Sequence, residues 1–141
     1  MIKQIVFLKK RPDMTAAEFM DYYENQHSQL SKRMGAKPSL PNAQRYVRRY
    51  LTPEKNPLTG EVIHPGYDCI MEIWWNTRED FEAAMKGLSN PDMLQARLED
   101  ERKLFASNSN PVCTVEEHDS PVGPNNVIHR WVPVTESAPD V

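Results

Sequence analysis

The opening run Ile2-Lys3-Gln4-Ile5-Val6-Phe7-Leu8 is apolar on both of its alternating sides, with Ile2, Val6 and Leu8 on one and Ile5 and Phe7 on the other. Successive side chains of a strand point to opposite faces. A strand greasy on both faces belongs inside a sheet that is covered on both sides. If helices cover one face, the other needs a separate cover, and a second copy of the chain is the simplest one. A homodimer is expected, with sheets meeting back to back or closing into a shared barrel.

The segments after this strand set the plan. Arg11-Pro12-Asp13-Met14 breaks it, and Thr15 with Glu18 forms a capping box. Apolar spacing by three and four through Ala16, Phe19, Met20, Tyr23, His27, Leu30 and Met34 predicts a helix from Ala16 to about Met34, stopped by Gly35. His27 therefore points inward. The next strand, from Ala43, sets Tyr46, Arg48 and Tyr50 against Val47 and Leu51; Arg45, Arg48 and Arg49 suit a sheet edge, where charge discourages stray pairing, better than an anion site. A turn-rich loop leads to the strand Tyr67–Asn76. Its odd residues (Tyr67, Cys69, Met71, Ile73, Trp75) oppose its even ones (Asp68, Ile70, Glu72, Trp74). Thr77 caps a helix, a second helical run covers 92–105, and Pro111–Asp119 is a last strand. Strand, helix, strand, strand, helix, strand is the split βαβ plan: an α+β fold with an antiparallel sheet and helices on one side.

At 141 residues the chain holds one core-forming domain, 1–119, followed by a Pro-rich C-terminal arm, 120–141. Val127, Ile128, Trp131 and Val132 make that arm too apolar to be wholly free, and it is expected to dock on a partner subunit or over a pocket mouth. The formal net charge of −3 speaks against nucleic acid as a partner. No apolar run approaches the roughly 20 residues a bilayer needs, and the N-terminus lacks the order of a secretory leader, so a soluble, cytoplasmic protein is expected. Cys69 and Cys113 read as buried and reduced. In the strand order 4-1-3-2 the first strand separates them by roughly 9–10 Å, too far for a disulfide.

Phosphate-binding glycine loops, dinucleotide fingerprints, zinc-protease helices and nucleophile elbows are all missing. The histidines, His27, His64, His118 and His129, sit in separate segments, so neither a metal nor a cofactor is predicted. A lone inward histidine is most often a satisfied core residue. The company around His27 raises its standing: Tyr23 lies one turn earlier, and the sheet offers Asp68, Glu72 and Trp74. Imidazole, phenol and carboxylate beside aromatic walls are the parts of an acid–base pocket. His27, Tyr23 and Asp68 are thus the catalytic candidates, and Tyr46, His64, Glu72 and Trp74 the substrate-binding ones. The plainer account of Asp68 and Glu72, cross-strand pairing with the arginines, weighs equally.

The run Lys9-Lys10-Arg11-Pro12 through His27, with its Thr-x-x-Glu-Phe helix start and aromatic pair, resembles the EthD family of the dimeric α+β barrel superfamily. Tyr67–Trp75, the pair Asp100-Glu101 followed by Phe105, and the acidic closing strand fit the same pattern, covering about Ile2 to Asp119. The resemblance implies a ferredoxin-like fold that dimerises through its sheets and a functional His27. It implies a cofactor-independent lyase, a dehydratase or decarboxylase acting on an aromatic or polyketide-like ring. The alternatives within and beyond the superfamily are a haem-binding or oxygen-using monooxygenase and a non-enzymatic ligand-binding protein of a catabolic pathway. The arm and the long loop Leu51–Gly66 have no clear counterpart.

Overall fold

Strands β1 (Ile2–Leu8) and β3 (Cys69–Trp75) pair antiparallel along their whole length, from Ile2 opposite Trp75 to Leu8 opposite Cys69. The computed structural model describes residues 1–35, 40–123 and 130–134. Among these, β2 (Ala43–Tyr50) flanks β3 and β4 (Val112–Thr114) flanks β1, giving the sheet order β2-β3-β1-β4. This is the expected α+β arrangement, with the two apolar strands central and the arginine-rich strand at an edge. Cys69 and Cys113 lie on either side of β1 and both are free thiols. Cys113 corrects one expectation, because it is exposed rather than buried. Its strand pairs only with β1, and as the partner of Ile5 it faces away from the helices.

The capping box forms as read: Thr15 Oγ1 accepts from the Glu18 N–H at 3.1 Å while the Glu18 carboxylate accepts from the Thr15 N–H at 2.8 Å. The helix it starts is shorter than the periodicity suggests. α1 (Ala16–Asn25) ends at Gln26, whose φ of −124° and ψ of −65° leave the helical region; a single 3₁₀ turn, His27–Gln29, and the short α2 (Leu30–Arg33) come next. Asn25, His27 and Ser28 are weak helix formers. Ser28 Oγ and Gln29 Nε2 both donate to the Glu24 carbonyl, competing for the acceptor that a continuing helix would use. The predicted stripe is corrected too: Phe19 and Tyr23 are buried and His27 and Leu30 half-buried, but Ala16, Met20 and Met34 are exposed. α3 (Arg78–Leu88) is capped by Thr77, and α4 (Pro91–Arg102) by Asn90 with a proline in its first turn.

The helices cover the odd side of β3. Cys69 packs with Val6, Leu8, Phe19, Tyr23, Leu104 and Phe105, and Ile73 and Trp75 pack with Ala84. Trp75 is fully buried, and its indole N–H is satisfied by Gln4 Oε1 at 3.1 Å. The even side of β3, with Ile5 and Phe7 of β1 and Val47 of β2, receives no helix and stays partly exposed. The loop after β2 folds on itself through Gly60, which has φ +76° and donates its N–H to the Asn56 carbonyl at 2.8 Å. No helix among the described residues is long and apolar enough to cross a membrane. Residues 120–123 and 130–134 carry no helix or strand; Trp131 lies with its ring centroid 6.2 Å from that of His118, and Val127 and Ile128 are outside the described residues.

Candidate functional site

His27 stands at the break between α1 and α2, and the break turns its ring toward α4. There Nδ1 lies 2.8 Å from Asp100 Oδ2, while the other oxygen of that carboxylate accepts from the Tyr22 hydroxyl at 2.5 Å. Asp100 is 4% exposed, so these two donors meet a carboxylate largely withdrawn from water. Burial and the Asp100 carboxylate push the Tyr22 phenol up to about 12, keeping it a donor. Tyr23 and Phe105 present ring edges to the imidazole at centroid distances of 5.3 and 5.6 Å and fix its plane.

With Nδ1–H donated to Asp100, the lone pair of the neutral imidazole sits on Nε2. Nε2 has no partner among the described residues, where the one buried side-chain nitrogen or oxygen without a hydrogen bond is Trp74 Nε1. Nε2 is therefore open to solvent. His27 lines a cleft of about 780 Å³ whose walls also include Tyr23, Tyr46, Met71, Ile73 and Arg97. That volume is within the range of sites for small organic molecules.

A second hydrogen-bonded group closes another wall. The hydroxyls of Tyr23 and Tyr46 are 2.8 Å apart. Burial holds both phenols above their ordinary value; the neighbouring Tyr46 adds to this for Tyr23, while the Tyr23 hydrogen bond and Arg48 pull partly the other way for Tyr46. Both stay protonated at neutral pH and one proton of the pair is left to offer the cleft. Arg48 stacks 4.6 Å over the Tyr46 ring and pairs through two nitrogens with Glu24, which also accepts from the Tyr50 hydroxyl at 2.5 Å. This network locks β2 to α1 and holds Tyr46 in place.

Three of the sequence-predicted residues, His27, Tyr23 and Tyr46, thus share the cleft. The other four do not line it. Asp68 precedes β3 on its even side, where its carboxylate accepts from the Lys10 N–H at 2.9 Å and pins the end of β1. His64 lies in the exposed loop, accepting from the Gly66 N–H at 3.0 Å and standing 3.6 Å from Asp68. Glu72 is buried on the helix-free face against Arg49 Nη1 at 2.6 Å; burial pushes its carboxyl up, but that guanidinium and its neighbours bring it below the ordinary value. Trp74, on the same face, lies between Lys3 and Arg45, 4.0 and 4.7 Å from its ring centroid. The expected meeting of His27 with Asp68 fails because the helices chose the odd face. The carboxylate that does meet His27, Asp100, comes from α4. Among the described residues no group of three or more His, Cys, Asp or Glu is gathered to hold a metal.

The model of the EthD domain matches residues 11–108. The chain belongs to the EthD family. Among solved structures, an EthD family protein of Bacillus halodurans superposes with a TM-score of 0.50 at 18% identity, covering 84% of this chain and 100% of that one. A protein of Arabidopsis thaliana gives a TM-score of 0.54 at 10% identity, covering 86% and 100%. At these identities the likeness is one of fold. No curated protein matches the chain. The EthD match begins after β1 and ends before β4, so it contains every residue lining the His27 cleft, together with Asp100.

Proposed function

We propose that this EthD protein is a cofactor-independent lyase that removes water or carbon dioxide from an aromatic or polyketide-like ring intermediate, with His27 as the general base. The observation that carries this reading is the imidazole held through Nδ1 by Asp100 on a residue that lines an organic-sized cleft. For dehydration, Nε2 takes a proton from the carbon next to a ring carbonyl, and the C–H electron pair moves into an enolate. The Tyr23–Tyr46 pair donates to the enolate oxygen, and Asp100 stabilises the imidazolium. The enolate pair then forms the C=C bond as the β C–O bond breaks, and the proton on His27 leaves with the hydroxyl as water. Enzyme groups end as they began. Positioned acid–base catalysis of this kind contributes about 10²–10⁴-fold, and product aromaticity lowers the remaining barrier.

The proton-abstraction half of this mechanism needs no knowledge of the natural substrate. 2-Tetralone, a flat ring ketone with acidic α-protons, should exchange them with D₂O faster in the presence of the protein, as followed by proton NMR. His27→Ala should return the rate to that of buffer while the protein still melts cooperatively, at a temperature lowered by the lost bond to Asp100. Undiminished exchange in that variant would rule the mechanism out.

The working unit is a homodimer in which a second copy covers the even face of β3. Ile5, Phe7, Val47 and Ile70 remain half-buried there without a covering helix. The Pro-rich arm after Ser120 serves to cover that second copy or a pocket mouth, a reading supported by the apolar surface that Trp131, Val132 and Val134 leave exposed.

A further inference from the structure

Among the described residues, the walls of the cleft carry Lys32, Arg45 and Arg97 against a single carboxylate, Glu101. Two of the cations are committed elsewhere or wet. Arg45 stacks on Trp74, and Lys32 is exposed on the last turn of α2. Arg97 is different. It is half-buried on α4, one turn before Glu101, and burial pulls its pKa down while Glu101 only partly restores it. Its Nη1 donates to the Leu88 carbonyl at 3.0 Å, but no described carboxylate comes within ion-pair distance of it. Glu101 itself is turned to Asn108, from which its Oε1 accepts at 3.4 Å. The remaining N–H groups of Arg97 are not among the buried atoms without a partner, so they reach solvent and are free to take the oxygens of a ligand. Planar, forked donors match the two oxygens of a carboxylate, as they do those of a phosphate.

We propose that the cleft takes a ring compound bearing a carboxylate, with Arg97 as the residue that selects it. This rests on the acid–base reading of the same cleft and narrows it. A carboxylate paired with Arg97 is stabilised as an anion. Expelling it as CO₂ would leave its bonding pair on carbon and discard the charge that the guanidinium binds. The carboxylate at Arg97 is therefore one the product keeps, which makes loss of water, rather than loss of that group, the reaction at His27.

The test is a pair of probes of equal shape, 2-naphthoate and the neutral 2-naphthamide, titrated calorimetrically into the full chain at pH 7. One charge-assisted hydrogen bond corresponds to a preference for the naphthoate of about tenfold or more. Arg97→Gln should erase that preference and Arg97→Lys retain part of it, with melts confirming the fold. Equal affinity for the two probes, failure of both to bind, or a preference surviving in Arg97→Gln overturns the assignment. Should the Gln variant not fold, the two probes on the unaltered protein still decide. His27→Ala should keep the naphthoate preference while losing α-proton exchange, so failure of the anion assignment and failure of the base are seen in different measurements.

Discussion

Replacing Asp100 by Asn tests the site at its least obvious member. The carboxylate serves two donors with two oxygens, Tyr22 O–H and His27 Nδ1–H. The amide keeps one oxygen and sets an NH₂ where the other was. Turned to His27, that NH₂ drives the ring proton onto Nε2 and abolishes the base; turned to Tyr22, it forces the phenol to reverse. In either orientation the negative charge beside the forming imidazolium is gone. At a charge separation near 4 Å and an effective dielectric near 20, that charge is worth about 4 kcal/mol, so 2-tetralone exchange should slow about 10²–10⁴-fold. The fold should lose about 1–3 kcal/mol for the charge-assisted bonds. Nitrogen-15 NMR of the imidazole supplies the direct readout: the unaltered protein should show the Nδ1–H tautomer. Finding the proton on Nε2 there, or an unchanged exchange rate in Asp100→Asn, would refute the assigned role of the pair.

Ile70→Asp places a charge on the helix-free face, beside Phe7, and should weaken self-association by about thirtyfold or more in sedimentation, the equivalent of a 2 kcal/mol hot spot; removal of 121–141 should weaken it in the same assay. A monomeric unaltered chain, or dissociation constants untouched by both changes, would remove the dimer and arm proposals. Glu24 is held below its ordinary 4.5 by Arg48, opposed by burial and aided by Tyr50. Its contribution is therefore complete above that value and is lost as pH falls through the lower, folded-state pKa. Glu24→Gln should cost roughly 1 kcal/mol near neutrality and nothing in strong acid, seen as converging melting curves; a constant gap across pH would contradict this.

The architecture is legible in the sequence because each local signal agrees with the others. The two-sided Ile2–Leu8 predicts a central strand, the Thr15–Glu18 box marks the helix start, and the arginines of β2 mark an edge, all as found. The site is legible in part. His27, Tyr23 and Tyr46 share the cleft, but both faces of β3 carry apolar residues, and periodicity alone cannot say which of two greasy faces the helices choose. That is why a spacing argument sets Asp68, Glu72 and Trp74 beside His27. The helix break at Gln26 is invisible to such an argument, since the residues beyond it keep the same apolar rhythm. Asp100 carries a readable sign that charge density hides. Ala96, Asp100 and Leu104 share a four-residue spacing in the sequence, so an acid interrupts the apolar row of the run 92–105 as His27 interrupts that of the run predicted from Ala16 to Met34. Two such interruptions of opposite character are a matched pair.

The division of β3 between a helix-covered side and a helix-free side makes its length unforgiving. Inserting or deleting one residue between Cys69 and Trp75 would exchange the two sets of side chains past the point of change, sending Trp74 toward the helices and Trp75 toward the helix-free face. Drift in this protein should therefore collect in the ribbon between Thr52 and Gly66, where added or lost residues leave the parity of the strand untouched.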